Sequence, residues 1–271
     1  MSKLSEKSES VNSQSSKTEF QYANSKSFNN AKDVIYPLPN CEEESDRLRS
    51  QHFLFRYFWQ SNFFAPIEHI LSKPGSKILD VGCGAASWSF DMATSYPSTN
   101  VIGLDMSPLQ TTQIKPKNFN FVKVNVLEGL PFEDNTFDFV FQRFLVGGYP
   151  KEKWTYVINE LVRVLKPGGF LELCEFSRMC DAGPADQRLW FTRAYYKLSF
   201  NAKLCYLSYV PFNYHKVAKI MEERGVDWNT YEKLEEYAQK QGHLENIKKA
   251  VKQFYHGAKS NDIEFSKMMS E

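Results

Sequence analysis

The chain has 271 residues, 42% hydrophobic and 24% charged, which suits one folded domain with a tail or with a substantial insertion. A net charge of +1 excludes a global field that would draw it to nucleic acid or an anionic membrane, and the five cysteines show no CxxC pair and no zinc spacing. No run of about 18 apolar residues occurs and the N-terminus lacks an apolar signal core, so the expectation is no membrane, no metal and a cytoplasmic location, with the nucleus second.

Residues 1–32 are rich in Ser, Asn, Gln and Lys. Such a stretch buries too little to offset its ordering entropy and is expected to be a disordered tail. Residues 33–75 are expected to hold N-terminal capping helices. Asn40 followed by Glu43 has the spacing of a capping box, and a helix is predicted from about Cys41 to Arg56. The aromatic segment FRYFWQSNFFAPIEHIL is predicted to be a second helix ending at Leu71, with KPG at 73–75 as a turn.

From Lys77 short apolar strands alternate with helical stretches. Strands are predicted at 77–81, 100–105, 119–125, 137–142 and 170–176, with helices at 87–96 and 151–165. KPGG at 166–169 reads as a helix stop and turn. Alternation of this length implies an α/β fold, a parallel sheet covered by helices on both sides. Its ligands would bind beyond the carboxyl ends of the strands. The core is placed at 76–176 and a helical cap with a C-terminal extension at 177–271. In that last part helices are predicted up to Gly225, at 231–241 and at 244–256.

The first strand of this core ends in Asp80-Val-Gly82-Cys83-Gly84. The glycines allow a tight turn and close approach of a ligand to the backbone. Asp80 would repel a pyrophosphate and attract an ammonium or sulfonium group. Asp105 ends the second strand, 21 residues beyond Gly84, where a carboxylate can accept two ribose hydroxyls. Asn125, followed by Val126, ends the third and either pairs with an adenine edge or caps the strand. A nicotinamide dinucleotide would want a third glycine where Ser87 stands.

With LPFEDNTFD at 130–138 and LVRVLKPGG at 161–169, this array resembles a class I S-adenosylmethionine-dependent methyltransferase over residues 77–176. YPLPNCEEESDRLRSQH upstream and FVFQRFLVGG extend the likeness to a fungal-type branch resembling velvet-complex secondary-metabolism methyltransferases. The resemblance implies a Rossmann-like doubly wound sheet of order 3-2-1-4-5 and S-adenosyl-L-methionine as cofactor. It assigns the cofactor's amino-acid end to Asp80, Gly82, Cys83 and Gly84, the ribose to Asp105 with Met106, and adenine to Asn125 and Val126. Gln142 and Arg143 would face the methyl group and the acceptor, or serve the structure. Relatives usually carry Gly where Ala86 stands, and usually close the sheet with two further strands that the charged C-terminal sequence does not suggest.

Methyl transfer from a sulfonium is an in-line displacement that rests on positioning, so no catalytic base is required unless the acceptor must lose a proton. His52, Arg143 and Tyr36 are the candidates, each with a packing role as the alternative. QRFL after the fourth strand lacks the Asn/Asp-Pro-Pro-aromatic motif of methyltransferases acting on planar amides. A small-molecule acceptor is expected first, a protein acceptor or regulatory protein partner second, and a non-catalytic binding protein on this fold is the rival.

Overall fold

The computed structural model describes residues 20–23, 26–29, 40–109, 114–175 and 221–251. Strands β1 (Phe20–Ala23) and β2 (Lys26–Asn29) pair antiparallel. They lie inside the stretch expected to be a disordered tail. A two-stranded ribbon of this size is marginal in water by itself.

Helix α1 runs Glu42–Trp59. Its N-cap is Cys41, one residue beyond the expected Asn40, and makes no side-chain capping bond. Three acidic residues in its first turn face the positive end of the helix dipole instead. The expected second aromatic helix is not continuous. Gln60 turns left-handed at φ 57°, a loop follows through the Pro66 region, and only Glu68–Leu71 (α2) is helical again. Ser61 makes reciprocal bonds with Phe63 there, the local competition with helix that Ser and Asn offer.

Five strands form one parallel sheet: β3 (Lys77–Val81), β4 (Asn100–Asp105), β5 (Phe119–Lys123), β6 (Phe137–Arg143) and β7 (Leu165–Cys174), in spatial order β5-β4-β3-β6-β7. This is the expected 3-2-1-4-5 arrangement. β7 begins earlier than predicted. Leu165 pairs with Phe137 and Phe170 with Phe139, so KPGG is a bulge inside the strand, with Gly168 at φ 76°.

Side chains alternate between two cores, as period-two strands require. Ile78, Val101, Phe139 and Phe141 pack with Trp88 and Met92 of α3 (Ser87–Ser95) and with Ile67 and Leu71. Leu79, Val81, Leu104 and Val140 pack on the opposite face against Trp154, Val157, Ile158 and Leu161 of α4 (Trp154–Val164), which a short 3-10 turn at Lys151–Lys153 precedes. Arg163 of α4 donates to Glu160, Asp134 and the carbonyls of Leu130 and Phe132, tying the LPFED turn to the helix.

Helix α5 covers Thr230–Gln241 as predicted, and Gly225 at φ 91° closes the turn before it. The helix predicted over 244–256 is absent from 244–251, where Asn246 is left-handed and residues 245–251 are all exposed. A segment that buries no face loses the packing that holds most short helices. The strand expected to reach Phe176, and the helices of 177–220, extend outside the described residues.

Candidate functional site

β3 has β4 on one side and β6 on the other, so the chain reverses direction of travel at its carboxyl end. In open α/β sheets this switch point is where a crevice forms. Asp80 sits there, in register with Gly103 of β4 and Phe141 of β6. It is buried, and one oxygen accepts a 2.6 Å bond from the Ser89 hydroxyl of α3. Burial pushes its carboxyl up to about 6; the Ser89 bond and the Arg143 charge oppose this, and Asp105 adds to it.

The glycine turn follows. Gly82 and Gly84 both have positive φ, 69° and 51°, which a side chain would strain. A Cβ on Gly82 would lie 2.6 Å from Leu145, and one on Gly84 3.0 Å from Leu48 of α1, so only glycine lets these leucines pack on the turn. Cys83 closes the turn. Its amide donates to Leu104, its carbonyl accepts from Ala86, and its side chain lies where a Cβ on Gly103 would come within 3.0 Å of its sulfur.

Asp105 faces this turn. Its two oxygens accept from the amides of Gly84, at 2.9 Å, and Ser107, at 2.8 Å. Burial raises its pKa, while amide bonds from Ser107, Gly84 and Met106 oppose the rise. With these amides donating to it, the carboxylate keeps room for about one further donor.

Asn125 uses its side chain as a cap: Oδ1 accepts from Leu127 and Nδ2 donates to Glu128. Val126 is buried in the α4-side core. Gln142, in register with Val81, is fully buried; its Oε1 accepts from Tyr149, and its Nε2 meets no acceptor among the described residues. The structure therefore brings Asp80, the glycine turn, Asp105 and Gln142 to one end of the sheet. It gives the side chains of Asn125 and Val126 structural neighbours. Tyr36 lies outside the described residues.

Arg143 ends β6 under α1. One of its terminal nitrogens, Nη2, is 3.2 Å from Nδ1 of His52, and the guanidinium lies 5.8 and 5.3 Å from the ring centroids of Phe141 and Phe144. Nε2 of His52 is 3.2 Å from Asp91, which also accepts from Asn62 and pairs with Arg56. Both ring nitrogens of His52 are thus engaged, and burial lowers its pKa, leaving it neutral and without a free lone pair for base catalysis.

Trp88 is packing: it stacks on Phe141 at 4.1 Å and donates to the Asn62 carbonyl. Glu172 and Glu175 alternate with apolar neighbours on the last strand, which makes Glu175, nearest its carboxyl end, the better pocket candidate by sequence; in the fold both act as backbone clamps. Glu172 accepts the amides of Phe64 and Ala65, and Glu175 those of Leu145 and Val146. Burial pushes Glu175 up to about 8 and raises Glu172. Acidic residues in an otherwise apolar strand were the available signal.

Residues 78–169 match the sequence model of a methyltransferase domain. This chain carries a methyltransferase domain. Its relatives include "Methyltransferase pytC" of Aspergillus terreus, 31% identical over 163 residues, 59% of this chain and 48% of the relative. "N-methyltransferase verN" of Clonostachys rogersoniana is 31% identical over 158 residues, 57% of this chain and 54% of the relative. "Secondary metabolism regulator laeA" of Aspergillus fumigatus is 30% identical over 181 residues, 64% and 47% of the two. The chain thus spans about half the length of the curated relatives it matches.

The methyltransferase domain's cofactor, S-adenosyl-L-methionine, carries a sulfonium, a ribose and an amino-acid end. The residues present fit it. Asp80 and Asp105 stand at neighbouring strand ends around the glycine turn, and Asp80 feels the charges of both Asp105 and Arg143. A carboxylate pair at this place suits an ammonium or sulfonium and would repel a pyrophosphate.

Proposed function

We propose that this chain is an S-adenosyl-L-methionine-dependent methyltransferase whose acceptor is a small molecule. The observation that carries the reading is the pair of carboxylates, Asp80 buried and Asp105 half-buried, on adjacent strand ends around a glycine turn with no room for side chains. In this reading Asp80 takes the ammonium of the cofactor and Asp105 a ribose hydroxyl. Gln142 is buried behind the site, held by Tyr149, and supports it from within. The side of the 125–126 turn is left for adenine.

When bound, the cofactor supplies an electrophilic methyl group that an acceptor lone pair displaces in line. The protein's share is to bind, orient and exclude water, which can account for much of such a barrier. Leu48 and Leu145, lying over the two glycines, form the apolar lid of that site. Similarity to "Methyltransferase pytC" and "N-methyltransferase verN" supports methyl transfer as the reaction, and the near-zero net charge favours a small acceptor.

A second reading, a methyltransferase-fold regulator, is favoured by the similarity to "Secondary metabolism regulator laeA". Calorimetric titration with S-adenosyl-L-methionine is expected to show binding that weakens about 10- to 100-fold in Asp80→Ala and in Asp105→Ala, the cost of a charge-assisted bond. Absence of binding by the intact protein rules out the enzyme. Binding without turnover on a panel of amine, phenol and carboxylate acceptors favours the regulator.

A further inference from the structure

Arg143 is a cation held in place but not neutralised. A guanidinium donates and never accepts, so Nδ1 of His52 must be the acceptor in their contact. His52 is therefore the tautomer with its proton on Nε2, which donates to Asp91. Asp91 is fixed in turn by Asn62 and Arg56. Burial works against its charge, but the bonds from His52 and Asn62 outweigh it and hold its pKa down.

The consequence is specific. A carboxylate in place of His52 would orient Arg143 and also cancel its charge. A neutral imidazole orients it and leaves the charge in the pocket. No ion pair to Arg143 occurs among the described residues, and its remaining N–H groups meet no acceptor there. Unlike Nε2 of Gln142, those groups are not sealed away from solvent. The rings of Phe141 and Phe144 flank the guanidinium and restrict where it can point.

The charge of Asp80 is felt at Arg143, and Asp80 pairs in register with Phe141, two residues before it. A fixed cation and a buried anion therefore stand near one another at neighbouring strand ends without forming a bond. That arrangement is complementary to an α-amino acid zwitterion, ammonium toward Asp80 and carboxylate toward Arg143.

We propose that Arg143 is a carboxylate-binding residue of this pocket, positioned by the relay Asp91–His52. The inference rests on the cofactor reading above. The carboxylate comes either from the amino-acid end of the cofactor, which the nearness of Asp80 favours, or from the acceptor.

The test uses the full chain and two cofactor forms that differ in one group, S-adenosyl-L-methionine and its decarboxylated analogue. Arg143→Gln is expected to weaken the first about 10- to 100-fold and to leave the second unchanged or tighter, because a repelling cation has gone. If both forms respond alike, benzoate is titrated into wild type and R143Q saturated with S-adenosylhomocysteine. Benzoate binding that only wild type shows keeps Arg143 as the carboxylate site and makes the acceptor the source. No dependence on Arg143 in either arm overturns the proposal. Failure of wild type to bind S-adenosyl-L-methionine is a different result: it removes the cofactor reading, and this inference with it.

The relay has its own readout. His52→Asn keeps an acceptor near the position of Nδ1 and is expected to retain the preference for the carboxylate-bearing form. His52→Leu is expected to lose most of it at an unchanged far-ultraviolet spectrum. A His52→Leu protein that keeps the full preference removes the relay from the proposal.

Discussion

Ala86 stands at φ 59° with its methyl group sealed in the core beside Ile78, Trp88 and Phe139. From its place after Gly84 it resembles a lost glycine of a ligand loop. In the fold it is the first residue before α3, and its side chain belongs to the packing under the sheet. Ala86→Gly relieves left-handed strain of about 1–2 kcal/mol and gives up a buried methyl worth about 0.8 kcal/mol, so the melting temperature should move by only a few degrees. Cofactor affinity should stay within about threefold. A tenfold gain on titration would mean that the methyl crowds the ligand after all.

Asp80 predicts a pH dependence. Its folded pKa of about 6 exceeds the ordinary 3.8, chiefly through burial. The folded chain therefore holds this proton more tightly than the unfolded chain. The group's contribution to stability is greatest at the acid end and is lost as pH rises from about 4 to about 6. Binding of a cation runs the other way, because it needs the ionised form. Affinity for S-adenosyl-L-methionine should fall about tenfold from pH 7 to pH 5, and Asp80→Asn should flatten that slope. An affinity in wild type that does not change over this range would exclude Asp80 as the counter-charge.

Among the elements, α4 explains why LPFEDNTFD and LVRVLKPGG travel together. Arg163 closes the first motif onto the second through three hydrogen bonds, to Leu130, Phe132 and Asp134, and Glu160, which braces Arg163, accepts the Leu130 amide from the other side. Bonding to Glu160 and Asp134 raises the Arg163 pKa, and Arg163 in turn lowers that of Glu160. The pair is partly exposed, so it is worth only about 1 kcal/mol, and Arg163→Ala should lower the melting temperature by about 2–4 °C. Amide exchange should quicken at 130–136 while cofactor affinity holds. The expected second aromatic helix gives way to a loop for a physical reason. Phe63, Trp59 and Phe64 pack as rings against neighbours, and Glu172 accepts the Phe64 and Ala65 amides, so the loop satisfies its backbone through β7. Aromatic density suggests a buried helix face, but it says nothing about a carboxylate more than one hundred residues away that offers the loop an alternative.

Taken as one molecule, the domain holds its cofactor site at one end of its sheet, and a ligand that binds only the folded chain stabilises it. At about 100 times its dissociation constant, S-adenosylhomocysteine or S-adenosyl-L-methionine should stabilise the chain by about 2.7 kcal/mol, a shift of several degrees in a melting scan. A nicotinamide dinucleotide at the same concentration should give none, and Asp105→Ala should cut the response to about 0.4–1.4 kcal/mol. The sheet order came from the family resemblance, whereas the strands, the helices between them and the positions of Asp80, Gly82, Gly84 and Asp105 could be read from the chain because they depend on neighbours two to four residues away. The partners of His52, Glu172, Glu175 and Arg143 could not. Arg143 and His52 are 91 residues apart, and only the docking of α1 over the end of β6 makes them touch. Their chemistry changes with that contact: a histidine that local sequence offers as a base becomes, once buried between an arginine and an aspartate, a neutral hinge with no lone pair to spare.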